Sequence, residues 1–247
     1  MRCLYMMLVD KLMMIKESLD IPNEFGADLD NDDYSQIEDV CYRVLEDNDL
    51  SDFDYRTGAS KVVFVSDNYD YVLKIPFSGY WRYVENRDEE GHFNDREEFV
   101  SYENAGYDNG WNYCEVEENV YNNAVEYGVE QFFAATAFYG YTPTNYPVYT
   151  QPRVISYFDY EYDHEKTYTK EEITHASDII ANSRIQTGLR TEWIIDAIAA
   201  FGEDAVLKLI SFIDLEGITD LRTSNYGYTL DGKPVIFDYA GWHEVVE

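Results

Sequence analysis

Cationic side chains are scarce in this sequence: Lys and Arg total 18 against 49 Asp and Glu, a formal net charge of −31 at pH 7. Non-specific nucleic-acid binding depends on Lys and Arg neutralising phosphates and releasing counterions, so the composition argues against direct nucleic-acid binding. Docking on an anionic membrane surface is disfavoured for the same reason. Cysteine is sparse as well. Cys3, Cys41 and Cys114 are odd in number, follow no metal-knuckle spacing, and sit in a 247-residue chain that needs no covalent staples. They read as reduced, buried thiols in a cytoplasm. Long apolar runs are missing. The stretch MRCLYMMLVDKLMMIKES is interrupted by Asp10 and Lys11, is followed by no small-residue cleavage site, and falls short of the ~18 apolar residues of a membrane span. His92, His164, His175 and His243 lie too far apart for metal ligation and are expected on the surface. No Walker A loop, nucleophile elbow, dinucleotide fingerprint or internal repeat occurs.

What is present is enough to fold. Hydrophobic residues make up 45% of the chain and aromatics 17%, with 24 Tyr and 13 Phe, far from the composition of a disordered polyanion. Leu4, Leu8, Leu12, Ile15 and Leu19 recur at helical spacing. Ser35 and Glu38 form a capping box ahead of Ile37, Val40, Cys41, Val44 and Leu45, so residues 1–50 read as two helices joined by an acidic loop. From Asp52 the texture changes to β-branched and aromatic runs, predicting strands near 52–57, 61–66 and 70–76. Residues 78–112, with the charged run ENRDEEGHFNDREE, read as a surface insertion. A helix over 115–127, ending at Gly128, follows with Val116, Val120, Ala124 and Tyr127 on one face. Two or three strands are expected within 131–160. Thr169 and Glu172 then form a second capping box, and apolar helical runs follow near 191–200 and 203–214. A hairpin turning at Asp231-Gly232 closes the pattern. Strands first and helices after imply an α+β arrangement in two lobes.

The chemistry concentrates near the end of the chain. Asp220 opens the motif DLRTSN, which places Asn225 after it, and a hairpin then folds Asp238 back beside Asn225. Two acids and an amide at one edge of a hairpin are oxygen ligands of the kind Mg²⁺ takes alongside substrate phosphates. Upstream, VLKIPF places Lys74 inside an apolar strand, a costly position for an unpaired ammonium. The acidic helix that follows carries Glu117 and Glu118, either of which could partner it. Gly58-Ala59-Ser60-Lys61 forms a turn between the first two strands.

In these motifs the chain resembles the protein-kinase superfamily, over roughly residues 52–241. There a catalytic loop reads D-x-x-x-x-N and a metal-binding Asp lies on the far strand of the next hairpin; here those are DLRTSN and FDYAG. The resemblance implies a bilobal kinase-like fold, with a small antiparallel-sheet N-lobe and a shortened helical C-lobe. Residues 1–50 would be a helical extension, 51–155 the N-lobe with its 78–112 insertion, and 156–247 the C-lobe. It implies ATP and Mg²⁺ as cofactors. Lys74, held by Glu117, would grip the α- and β-phosphates, with Gly58 and Ser60 over them. Gln151 and Arg153 would form the hinge against which the adenine edge lies. Asn225 and Asp238 would hold Mg²⁺, Asp220 would orient and deprotonate a substrate hydroxyl, and Arg222 would steady the γ-phosphate.

Departures from the family pattern shape the expected function. Ile218 and Thr219 stand where catalytic loops usually carry His-Arg, the Gly-rich loop keeps one glycine, and the chain runs only to Glu247, soon after Asp238. The layout is similar to short kinase domains encoded by bacteriophages. It implies an origin in a phage or mobile element and phosphate transfer to a host protein, one rich in basic residues, in the host cytoplasm. The alternative is a kinase-fold binding protein whose acidic surface captures a basic or nucleic-acid-binding host factor, as a nucleic-acid mimic in counter-defence.

Overall fold

The computed structural model describes residues 2–28, 35–85, 96–105, 110–163, 166–182 and 188–241. In chain order the elements are α1 (Arg2–Ser18), β1 (Gly26–Asp28), α2 (Ser35–Asp47), β2 (Asp54–Thr57), β3 (Lys61–Val65), β4 (Tyr71–Pro76), β5 (Gly79–Val84) and β6 (Arg96–Ser101). They continue with α3 (Tyr113–Tyr127), a 3₁₀ turn at Glu130–Phe132, β7 (Ala137–Tyr141), β8 (Pro147–Pro152), β9 (Val154–Ser156) and α4 (Tyr157–Asp163). Last come α5 (Lys170–Ala181), α6 (Thr191–Phe201), α7 (Glu203–Glu216), β10 (Tyr226–Thr229) and β11 (Pro234–Ile236). The class is α+β, as the order of patterns predicts. The chain forms two compact units. One takes the described residues up to Cys114 together with Ala137–Thr150; the other takes Glu115–Thr136 and the described residues from Gln151 onward.

In the first unit the apolar stripe of α1 buries Leu8, Leu12 and Ile15, with Leu19 buried just after it, and α2 buries Ile37, Val40, Cys41 and Val44. A five-stranded antiparallel sheet runs in the order β2-β3-β4-β8-β7. β4 is its central strand, with Val63 opposite Lys74 and Phe64 opposite Leu73 in the β3 pairing. Tyr146 donates its hydroxyl to the Pro76 carbonyl at 2.6 Å and packs edge-on to Phe25, tying the sheet to the segment after α1.

The region expected to be a surface insertion instead carries strands. β5 pairs antiparallel with β6 and parallel with β1, making a separate three-stranded sheet. The charged run that prompted the insertion reading lies mostly within residues 86–95, outside the described residues. The flanks GYWRYV and REEFVS are strand sequences with aromatic cross-strand contacts, Trp81 and Phe99 standing 5.2 Å apart between ring centres. Gly26 and Gly79 permit the pairing, because a Cβ on Gly26 would stand 2.1 Å from the Gly79 carbonyl oxygen.

The second unit is built on one continuous core. Val120 and Ala124 of α3 join Trp193, Ile194 and Ala197 of α6, Leu209, Phe212 and Ile213 of α7, and Tyr226, Tyr228 and Ile236 of the terminal hairpin. α3 ends at Gly128, whose φ of 75° suits glycine. The Thr169 capping box opens α5: its hydroxyl accepts from the Glu172 N–H at 3.2 Å, and the Glu172 carboxylate accepts from the Thr169 N–H at 2.7 Å. β10 is the middle strand of a sheet ordered β11-β10-β9. Trp193 Nε1 donates to the Gly227 carbonyl at 3.0 Å, so α6 is pinned to β10. The Asp196 carboxylate accepts from Tyr228 Oη at 2.8 Å and from Lys166 Nζ at 2.6 Å, a second tie from α6 to the next residue of the strand.

Candidate functional site

The motif DLRTSN lies between α7 and β10, and its shape is set by Asn225. Asn225 is 7% exposed and donates Nδ2 to the Asp220 carbonyl at 2.6 Å and to the Asp220 carboxylate at 3.2 Å. Both partners only accept, so the nitrogen faces Asp220 and Oδ1 is the outward acceptor, reached by the Ser224 hydroxyl at 2.9 Å. The Asn225 main-chain carbonyl accepts from the N–H groups of Phe237 and Asp238, at 2.9 and 3.1 Å. The hairpin therefore joins residues 225 and 238 through the backbone, as the spacing predicts. Gly188 packs against the loop from outside: a Cβ there would stand 2.1 Å from the Leu221 carbonyl oxygen.

Arg222 is exposed at its head and turns back on Asp220. Its Nε and Nη2 donate to the two carboxylate oxygens at 2.5 and 3.0 Å, a bidentate pair. Hydrogen bonding to Asp220 and the charge of that carboxylate, with a further contribution from Asp238, raise the Arg222 pKa above its ordinary value. Asp220 and Asp238 are both half-buried. The loop thus gathers the Asp220 carboxylate, the Asn225 amide and the Arg222 guanidinium, with Asp238 joined to it through the backbone.

The Asp238 carboxylate and Asn225 Oδ1 are hard oxygen donors. Among the described residues no cluster of three or more His, Cys, Asp or Glu is arranged to hold a metal on its own. An ion here would follow the Mg²⁺ pattern of few protein oxygens completed by phosphate and water, rather than an all-protein cage.

Glu117 and Gln151 are also deeply placed. Glu117 is 0% exposed, on the face of α3 that carries Val120 and Ala124, whereas Glu118 is half-buried. Glu117 Oε2 accepts a hydrogen bond from the Thr136 hydroxyl at 2.9 Å. Gln151, expected to line an adenine edge, is 3% exposed and turns its amide inward: Nε2 donates to Thr136 Oγ1, the Phe237 carbonyl and the Ala134 carbonyl at 2.8, 3.0 and 3.1 Å. Tyr239 Oη donates to the Ala134 carbonyl at 2.8 Å. Arg153 is half-buried between β8 and β9.

Gly58, Ser60 and Lys74 belong to the first unit. Gly58 donates its N–H to the Lys61 carbonyl at 2.9 Å and closes the β2–β3 turn; Ser60 is buried, and its carbonyl accepts from Phe77 N–H at 2.7 Å. Lys74 is 3% exposed in the middle of β4. Of the histidines, His175 is exposed and bonded to Glu203 at 3.1 Å, while His92, His164 and His243 lie outside the described residues. Thr136 and Tyr239 escaped the sequence reading. The available signals were a lone hydroxyl within the apolar run FFAATAF and an aromatic directly after Asp238. No protein-family model matches the chain, and a search of curated proteins found no match.

Proposed function

We propose that this chain is a kinase-like protein that binds ATP with Mg²⁺ and transfers phosphate to a basic protein substrate, on a bilobal kinase-like fold. The observation that carries the reading is the backbone link at Asn225. One carbonyl receives the N–H groups of Phe237 and Asp238 while the side-chain amide is locked to Asp220, so that three residues with polar ends share one loop root. Bound Mg²⁺ would supply charge neutralisation at the β- and γ-phosphate oxygens. Asn225 Oδ1 and Asp238 are the residues to hold it. Asp220 orients the substrate hydroxyl and accepts its proton. Arg222, with its exposed guanidinium beside Asp220, is placed to move between that carboxylate and an incoming phosphate. The resemblance further assigns Lys74 to the α- and β-phosphates and Glu117 to Lys74. A double-mutant cycle on Lys74→Ala and Glu117→Ala tests it, with additive losses in ATP affinity counting against the pair.

The first experiment is thermal unfolding with and without MgATP. Ligand at ~100 times its dissociation constant adds about 2.7 kcal/mol, and Asp238→Ala should abolish the gain. Absence of any shift at millimolar MgATP sinks the nucleotide reading. The second is phosphate transfer. Asp220→Asn should keep stability and ATP affinity while transfer to host protein falls by ~10²–10⁴-fold.

One observation favours the alternative of an acidic binding protein. Arg222 already occupies both oxygens of Asp220, which keeps the proposed base in a closed pair. On that reading the net charge of −31 captures a basic or nucleic-acid-binding host protein, and Asp220→Asn leaves capture intact while no phosphate is transferred.

A further inference from the structure

Four buried polar side chains bracket Asp238 from behind. Gln151 Nε2 can only donate, so Thr136 Oγ1 accepts from it at 2.8 Å and sends its own proton to Glu117 Oε2 at 2.9 Å. The chain of bonds has one direction, Gln151 to Thr136 to Glu117. Its other arms end on both sides of Asp238. Gln151 Nε2 holds the Phe237 carbonyl at 3.0 Å, and the Tyr239 hydroxyl holds the Ala134 carbonyl at 2.8 Å. The Ala134 N–H in turn donates to the Ile236 carbonyl at 2.8 Å, and Phe133 bridges Ile236 in parallel. Glu117, Thr136, Gln151 and Tyr239 are all at most 3% exposed. Water cannot replace a lost partner there, so each bond is costly to leave unmade.

From this geometry we infer that Gln151 and Thr136 are positioning residues: they fix the Phe237–Asp238–Tyr239 backbone so that the Asp238 carboxylate is presented at one orientation for its ligand. The inference rests on the Mg²⁺-nucleotide reading for what the ligand is, and on the free protein alone for the positioning. It changes the role of Gln151. Its amide serves the residue beside Asp238 instead of an adenine edge. It also gives the buried Glu117 a structural task, as the acceptor that sets the direction of the Thr136 hydroxyl.

Gln151→Met removes the donor at similar volume, Thr136→Val removes the hydroxyl at similar shape, and Thr136→Ser keeps it. In the free protein, amide hydrogen exchange at Phe237, Asp238 and Tyr239 should speed up in Gln151→Met and Thr136→Val. Amides of α6 and α7 should stay protected, and Thr136→Ser should exchange as the parent does. Unchanged exchange at those three amides, or an equal loss across α6 and α7, overturns the inference. Titration with MgATP supplies the second arm. Removing residues that orient metal ligands typically costs ~10–100-fold in affinity, so the two variants should bind at least ~10-fold more weakly and Thr136→Ser within about two-fold of the parent. Parent-like binding by Gln151→Met and Thr136→Val overturns the inference while leaving the nucleotide reading in place. A parent protein that binds no MgATP defeats the nucleotide reading, and the exchange data then decide the positioning role alone.

Discussion

Burial pushes the Cys41 thiol up to about 12, with the nearby Glu38 carboxylate adding to the shift. The thiolate is the reactive form, so native Cys41 should resist a thiol reagent at pH 8 and label fully in denaturant. Peptide mass spectrometry after timed labelling reads this out, and rapid native labelling of Cys41 would contradict the buried placement. Tyr226 behaves similarly: burial raises its pKa to about 12, against the lowering effect of the hydrogen bond from the Arg190 N–H. The sign of the linkage follows. A group whose folded pKa lies above its unfolded value of about 10 contributes stability that is complete below pH ~10 and is lost as pH climbs towards 12. Urea midpoints should therefore fall between pH 10 and pH 12, and Tyr226→Phe should flatten that slope. An equally steep slope in the variant would assign the alkaline loss to other groups. The local motifs at this scale were readable in advance. Asn225 and Asp238 meet because a short hairpin leaves them no alternative. The inward turn of Gln151 was not readable, since its acceptors come from Ala134, Thr136 and Phe237, distant in sequence.

Elements with a strong local signature were equally legible. The Thr169 box and the run TEWIIDAIAAF specify helices from propensity and period alone, and β2, β3 and β4 appear within two residues of their predicted bounds. β5 and β6 were missed because the charged run between them dominated the reading of 78–112, although their own residues pair with each other from Gly79 opposite Ser101 to Val84 opposite Arg96. Glycine identity matters most where backbones touch. A Cβ on Gly227 would stand 2.0 Å from the Ile155 carbonyl oxygen, so Gly227→Ala must push β9 from β10. Overpacking of that kind costs about 1–3 kcal/mol. Denaturant titration should show the loss, with Trp193 fluorescence reporting on the adjoining Gly227 carbonyl contact. Stability unchanged within about 0.5 kcal/mol would mean that the two strands part more easily than this pairing implies.

At the scale of the whole chain, the net charge of −31 makes self-repulsion a standing cost of compactness. Raising NaCl from about 10 mM to about 150 mM shortens the screening length from about 30 Å to about 8 Å. The melting temperature should climb over that range, and a flat or falling response would show that repulsion among the carboxylates does not limit stability. The path of the chain adds a constraint of another kind. β4 is central in its sheet, yet its neighbour β8 begins only at Pro147, after α3 and the 3₁₀ turn have been made. On a ribosome adding about 5–20 residues per second, the interval between completing β4 and receiving β8 is on the order of ten seconds. During it the strand bearing Leu73, Lys74 and Ile75 has an open edge of unpaired amides, the kind of template on which nascent chains of neighbouring ribosomes associate. Synthesis rate and chaperone supply thus become determinants of yield for this protein, and slowing translation after Pro76 lengthens the exposure of that edge.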